Sequence, residues 1–138
     1  MRLINIYGRP QNRKVTKYLI KWGGKSRSKI QFKVKQFLKK FWENHIVYEE
    51  FPVYGSRMSV DILNATKKIA IEVQGKQHIE FNKFFHNNSR LKYLEAIKRD
   101  FEKAEWLNKN GFKLIEINQE EVNKLNKQFF EKQFGIAL

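Results

Sequence analysis

The chain has 138 residues, 41% of them hydrophobic, which is enough for one compact domain with its own core. It contains no cysteine, which excludes disulfides and thiolate metal sites and agrees with a reducing, intracellular setting. It shows no signal-peptide-like segment and no apolar run of about 18 residues, so we expect a cytoplasmic protein without a membrane span.

Positive charge is concentrated in the first third of the chain. Residues 1–42 hold 13 Lys/Arg and no Asp/Glu, whereas the remainder holds 15 against 14. Such a field attracts polyanions, and Lys and Arg contacts to phosphate supply the sequence-independent part of nucleic-acid binding. A solvated basic face without a partner is the alternative. The side chains that we expect to contact nucleic acid are Arg13, Lys14, Lys25, Arg27, Lys29, Lys33 and, further along the chain, Lys76.

The chain begins with loop-like and short strand-like pieces over residues 1–26, which we interpret as a basic N-terminal arm. The core of the single domain is then residues 27–138. Ser28 is placed to cap a helix over residues 28–44, because apolar residues recur there at helical spacing. Lysines, among them Lys35, take the other faces of this helix and are expected to point outward.

Three strand-like segments follow at residues 46–53, 57–63 and 69–74. The stretches YGSR and NATKK between them carry turn-forming residues, so we expect antiparallel hairpins. A fourth strand at residues 112–117 is expected to be parallel to its neighbour, because a helix connects it to the sheet.

Two more helices are predicted, over residues 89–110 and 119–133. Gly111 is placed to end the first of them. Its apolar stripe consists of Leu91, Leu94, Ile97, Phe101, Ala104 and Leu107. The element order indicates an α/β (α+β) fold with a mixed sheet flanked by helices.

Carboxylates occupy strand positions that usually carry Val or Ile. If residues 65–68 form a four-residue loop, Asp61 lies opposite Glu72 on the neighbouring strand. If residues 55–56 form a two-residue turn, Glu50 lies opposite Asp61. This register places the three carboxylates in one row, with Gln74 beside them. The other face then reads as core: Met58, Val60, Ile62, Ile69, Ile71 and Val73.

Three carboxylates this close together repel one another and require a positive partner. Hard divalent ions such as Mg²⁺ take oxygen ligands, commonly one or two carboxylates with water and substrate phosphate. A metal site beside a basic surface indicates phosphodiester chemistry. The alternative is that Glu50 and Asp61 form ion pairs with Arg57, Lys67 or Lys68.

Asp61, followed after a ten-residue gap by Glu72-Val73-Gln74, resembles the motif of the PD-(D/E)XK nuclease superfamily. Many restriction endonucleases and Holliday-junction resolvases share that fold. The order helix, three antiparallel strands, helix, strand is similar to its core over about residues 27–118. More locally, IEVQGKQH and KRDFEKAEWLNKNGFKLIEI resemble very-short-patch repair endonucleases and small phage homing endonucleases.

The resemblance implies a restriction-endonuclease-like core and a metal-dependent endodeoxyribonuclease. Asp61 and Glu72 would bind Mg²⁺, with Mn²⁺ able to substitute, and the carbonyl of Val73 would be a further ligand. Gln74 stands where the superfamily usually has lysine; its neutral amide can orient a water but adds no positive charge. Lys76, close by in sequence, is one candidate for that charge.

Three further residues are candidate catalytic groups. His78 and Asp100 match later polar positions of the family, and many members carry a glutamate in the first helix. Here that helix offers only Gln31, which leaves Glu50 as a substitute. The alternatives are a loop histidine without a task, and a surface ion pair between Asp100 and Lys103.

We therefore expect a Mg²⁺-dependent DNA endonuclease of homing, restriction-like or repair type. Because a duplex usually requires two cuts, a homodimer or higher symmetric assembly is expected. The alternatives are a Holliday-junction resolvase, a non-catalytic nucleic-acid-binding protein on a nuclease fold, and a basic structural protein.

Overall fold

The computed structural model describes residues 1–75 and 87–138, except for the side chains of residues 87–89. Two short strands near the N-terminus, β1 (Arg2–Ile4) and β2 (Pro10–Asn12), form an antiparallel ribbon. The main sheet of the described residues has four strands, which lie in the order of the chain: β3 (Val47–Pro52), β4 (Ser59–Asn64), β5 (Ile69–Gln74) and β6 (Lys113–Asn118).

The sheet is mixed, as the sequence predicted. Strands β3, β4 and β5 are antiparallel, and β6 runs parallel to β5. Both predicted hairpin registers are confirmed: Pro52 pairs with Ser59, and Asn64 pairs with Ile69. The tip of the first hairpin contains Gly55, whose φ of 88° an L side chain rarely adopts.

Helices cover both faces of the sheet, which therefore has a core on each side. Helix α1 (Lys29–Trp42) packs on the face that carries Ile69 and Ile71. Helix α2 (Asn87–Lys109) packs on the opposite face, where Trp106 and Leu107 meet the side chains of Leu63 and Ala70.

The predicted single core face is wrong for the start of β4. Met58 and Val60 pack on the α2 side, whereas Ile62 packs on the α1 side. Residues two apart in a regular strand share a face, so β4 must depart from regular geometry at Asp61. The partner strand is also irregular there, because Glu50 has a φ of 52°.

Helix α1 begins where the sequence predicts. Ser28 is its N-cap and accepts a hydrogen bond from the Gln31 N–H at 3.1 Å. The expectation that Lys35 points outward is wrong, because its side chain is fully buried and its ammonium lies 3.1 Å from Glu49 Oε1. The aliphatic part of a lysine side chain can be buried in a core when its ammonium pairs with an anion.

The predicted basic arm is folded onto the core. Leu3 and Val15 are buried in the cluster under α2. The Trp106 indole N–H donates to the Ile4 carbonyl at 2.7 Å, and the Tyr54 hydroxyl donates to the Met1 carbonyl at 2.8 Å. Residues 1–26 therefore help to hold α2 in place.

Only part of the apolar stripe of α2 is buried. Leu91, Leu94, Ile97 and Phe101 are 48–67% exposed, and burial begins near Trp106. A 23-residue helix is about 35 Å long, whereas a six-residue strand spans about 20 Å, so only part of the helix can lie over the sheet. Four of the six residues of the predicted stripe are therefore exposed.

The predicted last helix is two helices, α3 (Gln119–Val122) and α4 (Lys127–Phe134). Asn118 is the N-cap of α3 and Asn126 is the N-cap of α4, so a new helix begins after Asn126. Among the described residues, no helix has the length and hydrophobicity to cross a membrane.

Candidate active site

The β4–β5 ladder opens where the acidic residues lie. Backbone pairing joins Ile62, Leu63 and Asn64 to β5, and it does not extend to Asp61. Among the described strands, β5 pairs only with β6 from Glu72 onward. The two strands therefore separate at the position that the sequence marks with Asp61 and Glu72.

Carboxylates replace the missing ladder. The Val73 N–H donates to Asp61 Oδ2 at 2.8 Å, and the Asp61 N–H donates to Glu72 Oε2 at 3.3 Å. Each carboxylate thus satisfies a main-chain donor of the other strand, which a buried N–H requires. The predicted pairing of Asp61 with Glu72 is realised through side chains.

The two carboxyl groups strongly affect each other. Burial and, next in size, the negative charge of Glu72 together raise the pKa of Asp61 from 3.8 to about 7. The Val73 N–H and the Lys103 ammonium oppose this rise without cancelling it. The ammonium of Lys103 therefore does not balance the negative charge of the pair when both carboxyl groups are ionised.

A cleft of about 400 Å³ opens onto this pair. It lies between the N-terminus of α1, the C-terminal end of β5, the first four residues of β6 and the middle of α2. Its lining residues are Arg27, Ser28, Ile30, Gln31, Asp61, Glu72, Val73, Gln74, Gly75, Asp100, Lys103, Leu114 and Glu116.

Lys103 is the cation in direct contact with the acidic pair. Its ammonium donates a hydrogen bond to Glu72 Oε1. Its side chain is 18% exposed, and that of Glu72 is 12% exposed. The expected alternative, an ion pair between Lys103 and Asp100, is not formed. Lys103 was not among the predicted site residues.

Gln31 presents a fixed amide to the same cleft. Its Nε2 donates to Glu49 Oε2 at 2.9 Å and to Glu50 Oε1 at 3.0 Å, which uses both N–H groups. The residue is 2% exposed and lines the cleft, and its Oε1 remains as an acceptor. The two glutamates therefore determine which way the amide points.

Glu50 does not complete the predicted row of three carboxylates. Its Oε1 accepts from Gln31, its Oε2 accepts from the Ser59 hydroxyl at 3.0 Å, and Arg27 lies 3.8 Å away. It is absent from the residues that line the cleft. The left-handed backbone at Glu50 accounts for this, since it turns the side chain toward α1.

The remaining predicted residues fall into two groups. Val73, Gln74 and Asp100 line the cleft, and no described residue holds the amide of Gln74 by a hydrogen bond. Lys76 and His78 lie outside the described residues.

Most of the predicted phosphate contacts are accessible to a partner. The side chains of Arg13, Lys14, Lys25, Arg27, Lys29 and Lys33 are all exposed. Arg27 reaches the cleft, so the basic region and the acidic pair adjoin each other.

A second, more open groove is lined in part by Arg13 and Arg57, beside the β3–β4 turn. The Arg13 guanidinium stacks on the Tyr54 ring at 5.0 Å. This turn leads into β4 only a few residues before Asp61, so the groove lies at the same end of the sheet as the cleft.

The donor set of the cleft consists of oxygen atoms. Asp61, Glu72, the Gln31 amide oxygen and the Val73 carbonyl are ligands that hard divalent cations accept, and no thiol is present. Within residues 1–75 and 87–138, no three His, Asp or Glu side chains gather in the manner of a complete metal cage. Two carboxylates with water and phosphate are a usual set for Mg²⁺.

Among the charged and amide side chains that line the cleft, three were missed as site residues: Gln31, Lys103 and Glu116. Glu116 is the parallel neighbour of Glu72, and that pairing depends on how β6 is aligned with β5. Helical periodicity placed Gln31 on α1, but the two glutamates that orient it come from β3. Only Lys103 left a local signal, since it follows Asp100 by three residues on one helix face.

Comparison with known proteins gives two relatives. Over 66 residues, 48% of this chain, it is 36% identical to uncharacterized protein 033L of Invertebrate iridescent virus 3 and, at the same identity and length, to uncharacterized protein 094L of Frog virus 3 (isolate Goorha). The match covers 34% and 43% of those proteins, so the chain spans less than half of either. No family model and no solved structure matches the chain. The function is therefore inferred from the site.

Proposed function

We propose that this protein is a metal-dependent nuclease that hydrolyses phosphodiester bonds in DNA. The observation that carries the proposal is the opening of the β4–β5 ladder at Asp61 and Glu72 into a cleft beside the basic region. Strand pairing alone gives no reason to place two carboxylates against each other there. A cation-binding site would account for the two adjacent carboxylates.

The topology supports a restriction-endonuclease-like core. A helix, three antiparallel strands, a second helix and a parallel strand follow one another, with a helix on each face of the sheet. Asp61 and Glu72 lie on adjacent strands, which agrees with the resemblance to PD-(D/E)XK nucleases. Fold alone does not define an activity, so the carboxylate pair weighs more than the topology.

Asp61 and Glu72 would hold the Mg²⁺, assisted by the Val73 carbonyl and the Gln31 amide oxygen. The ion would lower the pKa of a water and stabilise charge on the phosphate. Main-chain and amide groups hold the ligands in place: the Val73 N–H fixes Asp61, and Glu49 with Glu50 fixes Gln31. Among the described residues the half-buried Gln74 amide has no hydrogen-bond partner, so it would donate to a phosphate oxygen or orient the attacking water.

The basic region would hold the DNA backbone. Arg27 extends this region to the cleft, and the groove at Arg13 and Arg57 offers phosphate a second place at the same end of the sheet. Arg and Lys contacts to phosphate position a substrate without reading its sequence. We propose a symmetric homodimer for cleavage of both strands, because the described residues of one chain form one such acidic cleft. Light scattering of the purified protein measures its oligomeric state.

The test is cleavage of supercoiled plasmid, linear duplex and four-way junctions with Mg²⁺, Mn²⁺ or chelator. We expect metal-dependent cutting that is lost, by at least about 100-fold, in Asp61→Asn and Glu72→Gln, because each removes a ligand charge. Glu105→Gln is the matched control, since Glu105 is an exposed acid on α2 outside the cleft.

Several outcomes decide the proposal. A preference for four-way junctions would identify a resolvase within the same class. If the wild type binds these substrates but cuts none with either metal, the nuclease proposal fails and the protein is a nucleic-acid-binding module.

A further inference from the structure

Lys103 occupies a position that the acidic pair alone does not explain. It comes from α2, on the opposite side of the cleft from α1, and its ammonium touches Glu72, the residue that we assign to the metal. The side chain is mostly enclosed, unlike that of Lys109 on the same helix, which is 51% exposed. An enclosed ammonium needs an anionic partner, because burial of an unpaired charge is costly.

The partner of Lys103 must change when a divalent cation binds. In the structure, Glu72 Oε1 accepts a hydrogen bond from Lys103. A cation bound to Glu72 would neutralise the carboxylate charge with which Lys103 pairs. Asp100 and Glu116 also line the cleft, but both side chains are exposed to water, so they are weak partners. The strongest new anion within the cleft would be the phosphate of a bound substrate.

Gln74 cannot supply the positive charge that would pair with this phosphate. It lies in the same cleft, and its amide carries no charge. Arg27 is the other described cation of the cleft, but its side chain is 72% exposed and lies 3.8 Å from Glu50, at the rim. Lys103 is therefore, among the described residues, the enclosed positive charge nearest to the two carboxylates.

We propose that Lys103 has two successive partners: Glu72 in the metal-free protein and the scissile phosphate in the substrate complex. This inference rests on the proposed nuclease function and extends it by naming the group that supplies the positive charge that Gln74 cannot. It makes Lys103 a catalytic residue, because it touches the substrate, and also a competitor of the metal.

The test uses the full chain with Lys103→Met, Lys103→Arg and the double variant Lys103→Met/Gln74→Lys. The first readout is Mn²⁺ affinity without DNA, measured by titration calorimetry or by electron paramagnetic resonance. We expect Lys103→Met to bind Mn²⁺ on the order of 5-fold more tightly, because a competing cation is gone. Lys103→Arg keeps the charge and should stay close to the wild type.

The second readout is single-turnover cleavage at saturating metal. We expect a loss on the order of 100-fold in Lys103→Met, because the charge acts mainly in the transition state. The double variant should regain cleavage to within about 10-fold of the wild type, since it returns a lysine to the same cleft. Lys109→Met is the control for a lysine-to-methionine change on the same helix.

The outcomes separate this inference from the function on which it rests. If the wild type cuts DNA and Lys103→Met cuts equally well with unchanged Mn²⁺ affinity, the inference is overturned and the nuclease stands. Failure of Gln74→Lys to restore cleavage overturns it as well. A wild type that neither binds Mn²⁺ nor cuts overturns both. If Lys103→Met does not fold, as judged by circular dichroism, Lys103→Gln takes its place in every comparison.

Discussion

At the scale of single residues, the effect of Asp61 on the stability of the fold conflicts with its proposed role in the site. Its pKa is raised to about 7 by burial and by the charge of Glu72, so the folded protein favours the protonated form. A group whose pKa is higher in the folded state stabilises the fold below its unfolded pKa. The contribution of Asp61 is therefore full below about pH 4 and is lost as the pH rises toward about 7.

Asp61→Asn should make the metal-free protein more stable at pH 8, by roughly 1–3 kcal/mol, while it removes cleavage. The amide can accept from the Val73 N–H and donate to Glu72, and it carries no charge to repel. Urea unfolding at pH 5 and pH 8 measures the effect, with EDTA present throughout. The gain should shrink at pH 5, where the wild type retains the proton.

Glu105→Gln is the control for this comparison, because Glu105 is exposed and paired with Lys109. Its effect should stay within about 0.5 kcal/mol at both pH values. An Asp61→Asn protein that is less stable than the wild type at pH 8 would contradict the electrostatic account of this site.

At the scale of elements, α1 is joined to β3 by a buried polar cluster. Lys35 donates to Glu49 and to the Gly24 carbonyl, and Ser26 and Gln31 also donate to Glu49. Loss of one partner of a buried ion pair leaves the other charge uncompensated. This cluster holds Gln31 at the cleft, so it connects the packing of the helix to the site.

Lys35→Met should lower the free energy of unfolding by about 3 kcal/mol. Addition of Glu49→Gln to Lys35→Met should recover part of this loss, because the neutral amide needs no counter-charge; we expect a coupling of roughly 1–2 kcal/mol. Urea unfolding of the single and double variants gives the cycle. If Lys35→Met costs no more than Lys109→Met at its exposed pair, the cluster is not important for stability.

The same elements show how much of the fold and site the sequence predicts. Hairpin registers follow from turn lengths and alternation, so the opposition of Asp61 and Glu72 follows from the sequence alone. The left-handed residue at Glu50 does not, because a glutamate gives no local sign of positive φ. The orientation of Lys35 was predicted wrongly because its partner, Glu49, lies on another element.

Helix α2 shows the other limit of sequence-based reasoning. Periodicity identified its apolar stripe, and Gly111, which has a φ of 81°, marked its end. Neither observation says how much of the helix lies over a sheet, so the exposure of Phe101 was not predicted. The contact of Lys103 with Glu72 depends on that same placement and was missed for the same reason.

At the scale of the whole molecule, the net charge of +14 comes almost entirely from residues 1–42, and Arg27 of this segment lines the cleft. Binding of DNA should therefore release counterions and weaken with salt. Each phosphate contact contributes a slope of about −0.9 to the dependence of log K on log salt concentration.

We expect Lys25→Gln/Lys29→Gln/Lys33→Gln to reduce the magnitude of this slope by about 2–3, without a change in sequence preference. Fluorescence anisotropy with a labelled duplex, in chelator and at several salt concentrations, measures it. The control is Lys124→Gln/Lys127→Gln/Lys132→Gln, which removes the same charge from exposed positions in the C-terminal part of the chain. Equal slopes for the two triple variants would indicate that net charge alone, and not this surface, binds DNA.

Because the Val73 N–H donates to Asp61 Oδ2, the Val73 amide proton can also serve as a spectroscopic probe of the Asp61 carboxylate. The nuclear magnetic resonance signal of this one amide proton depends directly on the electron density of the carboxylate that accepts it. Protonation of Asp61, its replacement by asparagine and the arrival of a cation should each move the signal differently. A nitrogen-15 spectrum of the protein would then follow the state of the site at a single atom, without substrate and without turnover.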